Sequence, residues 1–180
     1  GFRGVALRTA TTAKNLGRAA LVATAGVSAL GAGVFAAGNR VSAIAKEIQN
    51  LSVIAGLSAE EFQRMAAASE TVGVEQDKLA DILKDVKHKV GDVLATGAGP
   101  MADFFEQIAP QVGVTAEQFE RLNSADALQL YVSSLEKANL SQAQMTFYME
   151  AIASDATALT PLLRDNGRQI RELGNAAQAS

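Results

Sequence analysis

Four side chains in this sequence could act together chemically. Asp81, Asp85, His88 and Asp92 fall at i, i+4, i+7 and i+11 of one segment. On a helix that spacing brings them close to one face, where carboxylates and an imidazole can bind a divalent ion. A straight helix, however, presents them in a line rather than around a point. Lys84, Lys87 and Lys89 lie between them, so a solvated face of mixed charge is the expected use of the pattern. A Ser-His-Asp system would need His88, the chain's single histidine, on that same lysine-rich face. With no cysteine and a single histidine, the chain has no thiolate nucleophile and cannot build a multi-His zinc cage of its own. Gly97-Ala98-Gly99-Pro100 lacks the Lys-Ser/Thr ending of a phosphate loop and reads as a linker. Glu60, Glu61, Glu117 and Glu120 are expected in first helical turns, where the helix dipole accounts for them. The expectation is a non-enzyme with no catalytic residue, cofactor or metal.

The elements carrying these residues are helical by composition and period. The chain holds 35 Ala and 18 Leu, an alanine load that favours helix, and no run alternates with the period of a strand. Leu79, Ile82, Leu83, Val86, Val90, Val93 and Leu94 recur at steps of three and four, and the charged residues fill the other side. Shorter stripes are Leu128, Tyr131, Leu135 and Met145, Tyr148, Met149, Ile152, Ala156, Leu159. One device recurs at helix starts. Leu57-Ser58-Ala59-Glu60-Glu61-Phe62 supplies an N-cap at Ser58, a reciprocal Glu61 and a Leu57–Phe62 staple; Thr115 with Gln118 and Ser141 with Gln144 repeat it. Helices should therefore begin at Ala59, Ala116 and Gln142. Gly73-Val74 and Asn123-Ser124 mark further breaks, Pro110 a stop, and Thr160-Pro161 a start. Phe62, Leu79, Ile82, Leu83, Val86, Phe119, Leu128, Tyr131, Met145, Tyr148, Ile152 and Leu159 are expected to face inward.

The N-terminal part differs in charge. Residues 1–50 carry six basic side chains against Glu47 alone, a net +5, whereas residues 51–180 carry ten basic and eighteen acidic, a net −8. Between Arg18 and Arg40, residues 19–39 are uncharged, about 30 Å if helical, which matches a bilayer core. Leu21, Leu30, Val34 and Phe35 are among its few large apolar groups, and Ala25, Ala29, Gly33 and Ala37 repeat every four residues as a small-residue stripe suited to close helix packing. Two uses stay open, a helix buried in a homo-oligomer and a membrane-active segment. The expected architecture is all-α: a long Ala/Gly-rich N-terminal helix within a basic segment, 1–50, then an acidic bundle of short, capped amphipathic helices, 51–180. The first residue is Gly1 rather than Met, so the sequence reads as a processed product or a fragment.

The order of elements carries a resemblance. A basic start, a Gly/Ala-rich apolar run, the block Ile54-Ala55-Gly56-Leu57-Ser58-Ala59-Glu60-Glu61-Phe62-Gln63-Arg64, the Gly73-Val74 break, a helix of alternating charge, and Asp155-Ala156-Thr157-Ala158-Leu159-Thr160-Pro161-Leu162-Leu163-Arg164-Asp165-Asn166-Gly167 together resemble the tail tape measure proteins of long-tailed bacteriophages, from about Asn15 to Ala177. The resemblance implies a chain housed in the lumen of the tail tube that sets tube length, leaves on infection and assists DNA passage through the host envelope. Its implied partners are further copies of itself, tail tube and tail tip proteins and the host inner membrane, with no sequence-specific nucleic acid binding and no catalytic residue.

Length limits that transfer. As one continuous helix, 180 residues would span at most about 270 Å, and the caps divide the helix into short pieces. A ruler for a tail of roughly a thousand ångströms would have to lie elsewhere in a longer chain. The alternatives are a pore-forming or membrane-inserting helical protein and a helical interaction domain of a larger scaffold.

Overall fold

The structure, a computed structural model, describes residues 34–178, with the burial of side chains described for residues 42–177. Eight α-helices account for most of the described residues, and no strand occurs among them. They are α1 (Val34–Ala55), α2 (Ala59–Glu70), α3 (Gln76–Thr96), α4 (Ala109–Val112), α5 (Ala116–Glu120), α6 (Ser124–Lys137), α7 (Gln142–Ile152) and α8 (Thr160–Gln178). A π-helical turn, Phe104–Ile108, leads into α4, and a 3-10 turn, Ala156–Leu159, leads into α8. The expected long N-terminal helix over 19–39 falls mostly outside the described residues, as do Leu21, Ala25, Ala29, Leu30 and Gly33. Val34, Phe35 and Ala37 belong to the first turns of α1.

The caps act where their chemistry places them. The Ser58 hydroxyl accepts the Glu61 N–H (3.2 Å), and the Glu61 carboxylate accepts the Ser58 N–H (3.0 Å) and hydroxyl (2.7 Å). Ser141 and Gln144 form the same box, at 3.3 and 3.0 Å, and Thr115 donates its N–H to Gln118 Oε1 at 3.0 Å. Each box satisfies amide donors that have no partner within the helix, so α2, α5 and α7 start at Ala59, Ala116 and Gln142. Asn123 caps α6 by accepting the Asp126 N–H at 2.9 Å.

A single core joins the helices. Helix α3 packs against α1, α5, α6 and α7, α2 packs against α1 and α8, and α6 packs against α8. Eleven of the twelve residues expected inside are buried; Met145 is only half-buried, at the edge of the core. Four rings form its aromatic centre. Phe104 lies 4.4 Å from Tyr131, at the short end of favourable aromatic pairs, and 5.8 Å from Phe119 between ring centroids, and Phe105 lies 5.3 Å from Phe119, both within that range.

Two local expectations are corrected. Pro110 does not end a helix but stands in the first turn of α4. A proline ring collides with the carbonyl four residues earlier and offers it no N–H. Widening the preceding turn to π geometry, in which the Ala109 N–H bonds to Phe104 O, carries the chain through this conflict. Glu120 is the last residue of the five-residue α5 rather than a first-turn acid.

Helix α8 is interrupted. Arg164 has ψ 161°, and Asp165, Asn166 and Gly167 all have positive φ, at 52°, 58° and 68°. Left-handed backbone costs roughly 1–2 kcal/mol per ordinary residue, and Asn, Asp and Gly tolerate it best. Residues 160–163 and 168–178 are therefore two limbs joined by a left-handed turn.

Candidate functional site

The charged face of α3 is dispersed by the fold. Asp81, Asp85 and His88 are exposed on its outer side. Asp92, farther along the same helix and half-buried, has its carboxylate against the loop that follows: a Cβ built on Gly99, whose φ is +98°, would stand only 2.5 Å from Asp92 Oδ2. The α3 lysines with defined neighbours serve other elements. Lys78 pairs with Asp155. The Lys87 side chain lies over Gly56, its Nζ 3.3 Å from where a Cβ there would sit. Gly56 closes α1 with φ +72°, while the Leu57 N–H bonds to Ser52 O at 2.9 Å; an ammonium group at this end meets the negative pole of α1. The Ser124 hydroxyl donates to the Ala55 carbonyl oxygen at the same end. Among the described residues, no group of three His, Asp or Glu side chains converges to hold an ion.

The perturbed titrating groups have structural causes. The Glu61 carboxyl is held below the usual carboxylate range, first by the Ser58 hydroxyl and then by the Ser58 N–H, with the Arg64 charge assisting. Glu117 is lowered by its own backbone N–H and then by the Thr115 hydroxyl. Burial pushes the Tyr131 phenol up, with Tyr148 adding to the effect, and Tyr148 is raised by burial and then by the Asp103 charge. Each of these shifts belongs to a cap or to the core. None creates an acid–base pair facing a cleft.

The concavities are shallow. One of about 360 Å³ lies where α2, α6 and α8 meet, with Leu57, Met65 and Ile170 below and Glu61, Arg64 and Arg171 at its rim. Another, of about 250 Å³, lies between α7 and the start of α8 and is lined by Met145, Thr146, Met149, Thr160 and Arg164. A small apolar hollow of about 200 Å³ sits beside Phe105 and Val93. None gathers a nucleophile and a base. Among the described residues, no helix is long and apolar enough to cross a membrane.

The feature that sequence reasoning missed is the left-handed turn of α8 and what holds it. Gln129 Nε2 on α6 donates to the Leu163 carbonyl (2.9 Å) and to Ser133 Oγ (3.0 Å), Ser133 Oγ donates to Asn166 Oδ1 (3.4 Å), and Arg171 bonds to the Asn166 carbonyl. Gly167 is buried against Gln129; an added Cβ there would come within 2.3 Å of Gln129 Oε1. The available signal was the run Asp165-Asn166-Gly167, the three residue types that best accept positive φ, in succession. Compared with protein-family models, curated proteins and solved structures, the chain matches none.

Proposed function

We propose that the chain is a segment of a tail tape measure protein of a long-tailed bacteriophage or prophage, a structural component housed in the tail lumen and released on infection. The observation carrying this reading is the order of its elements, from the basic start and uncharged run through the capped helix at Ser58 to the Thr160–Gly167 block. A bundle of short capped helices fits a packed region of such a protein better than its length ruler. The test uses particles of the phage or prophage that encodes the chain. Mass spectrometry should find the chain in purified tails, and its absence would reject the reading. In-frame removal of the segment should leave tail length unchanged by electron microscopy while lowering DNA delivery. Shortening by about 270 Å would instead make this segment part of the ruler.

Within that reading, residues 19–39 pack against further copies of the chain through Ala25, Ala29, Gly33 and Ala37. The outer side of α1 leaves Val53 and Ile54 exposed, which favours association. Replacing Gly33 with Leu should weaken self-association in sedimentation more than replacing Val27 with Leu.

The charge split supports a second reading, a membrane-inserting helical protein. A net +5 around an uncharged run of bilayer length suits an anionic lipid surface, whereas a net −8 region is repelled by both lipid and DNA phosphate. Flotation with anionic vesicles tests it. Salt-sensitive recovery of residues 1–50 supports membrane attachment, and failure to float at low as well as moderate salt leaves the run as packing inside the tail.

A further inference from the structure

We infer that α8 is a two-state hinge: the left-handed turn at Arg164–Gly167 holds residues 168–178 folded back on α2, and the same residues can straighten into a continuous helix from Thr160 that releases this limb. Three consecutive residues of the turn have positive φ, two of them not glycine, so the bent state is disfavoured locally. It is held instead by tertiary contacts from α6. Gln129 takes the Leu163 carbonyl, Ser133 takes the Asn166 side chain, and Gly167 leaves room for Gln129 Oε1 at its Cα.

The straight state has its own support. No proline follows Pro161, and Leu163, Gly167, Ile170 and Gly174 would align at steps of four, three and four along one stripe of a continuous helix. Straightening also recovers the backbone hydrogen bonds that the turn interrupts. On leaving, the bent limb gives up its packing on α2, the most extensive helix–helix contact among the described residues. Ile170 and Leu173 are only partly buried, Arg168, Arg171 and Glu172 are exposed, and the small Gly174 lies against the Arg64 backbone. A strained turn held by a few polar contacts, with a half-exposed limb beyond it whose apolar stripe would continue along a straight helix, has the features of a bistable element. Release would uncover the Met65 and Arg64 side of α2 and free an amphipathic arm. The hinge does not depend on a place in a phage tail.

The chain has no cysteine, so a pair introduced at the exposed positions Lys84 and Asn175 allows spin labels on the otherwise intact protein, with pulsed EPR reading the distance. Gly167→Ala disfavours positive φ and pushes a methyl at Gln129, and it should raise the ratio of extended to folded-back limb about tenfold to a hundredfold. Gln129→Ala should shift the ratio the same way, whereas Asn166→Gly, which eases the turn, should shift it back towards the short distance. Circular dichroism of Gly167→Ala should show helix content held or raised. Unchanged distance distributions in all three variants would overturn the hinge, as would Gly167→Ala and Asn166→Gly moving the ratio in the same direction. Should Gly167→Ala fail to fold, the Gln129→Ala and Asn166→Gly pair decides: opposite shifts support the hinge, and no shift from either overturns it.

Discussion

The Tyr131 hydroxyl donates to the Tyr148 carbonyl oxygen across 2.7 Å in the interior of the bundle. The bond ties α6 to the middle of α7, and Tyr131 is fully buried among Phe104 and its neighbours. Tyr131→Phe keeps the ring and loses the bond, so it should cost about 1 kcal/mol in denaturant unfolding. Tyr131→Ala opens a cavity at the aromatic centre and should cost about 3–5 kcal/mol. Equal effects would mean that the ring packing contributes little.

The same phenol sets an alkaline limit. Its folded pKa is raised above the unfolded value, so between about pH 10 and the folded value the native state holds a proton that the unfolded state has lost. Stability should therefore be intact below about pH 10 and decline as pH rises beyond it. Tyr131→Phe should make that decline shallower, leaving the part due to Tyr148. The measurement is the thermal midpoint of both proteins between neutral pH and about pH 11.

The three capping boxes differ in charge, which gives an internal control. Glu61 has a lowered folded pKa, so its contribution is present above the unfolded carboxylate value and is lost as pH falls through the folded one. Gln118 and Gln144 do not titrate. Hydrogen-exchange protection at the start of α2 should be lost in acid more than at the start of α7, whose first turn carries no acid, whereas the start of α5 also titrates, through Glu117. Glu61→Gln should remove the difference, and Ser58→Ala should cost about 1 kcal/mol at neutral pH.

Two helical glycines should respond differently to alanine. A Cβ at Gly91 on α3 meets nothing within 4 Å, whereas at Gly174 on α8 it would stand 3.3 Å from the Arg64 carbonyl oxygen and 3.2 Å from its Cβ. Gly91→Ala should raise stability by up to about 1 kcal/mol. Gly174→Ala should forfeit that gain, because a backbone neighbour cannot turn aside, and Gly174→Leu should destabilise by about 1–3 kcal/mol. A gain at both positions would show that the α2–α8 contact yields to a methyl group.

The helix starts and the core were legible in the sequence because their causes are local. Ser58, Thr115 and Ser141 meet their box partners three residues on, and Leu79, Ile82, Leu83 and Val86 show their face through spacing alone, so a single helix and water suffice to define them. Other features depend on residues far apart in the chain. Gln129 and Ser133 hold a turn more than thirty residues away, Lys87 leaves the charged face of α3 for the end of α1, and the Asp92 carboxylate lies against the Gly99 loop. Side chains with several acceptable partners take the one that tertiary packing brings within reach, and positive φ in Asp165 and Asn166 persists only where distant groups compensate for it. The sequence by itself determined the helices, their caps and the inward faces; the tertiary structure decided which charges meet and where α8 bends.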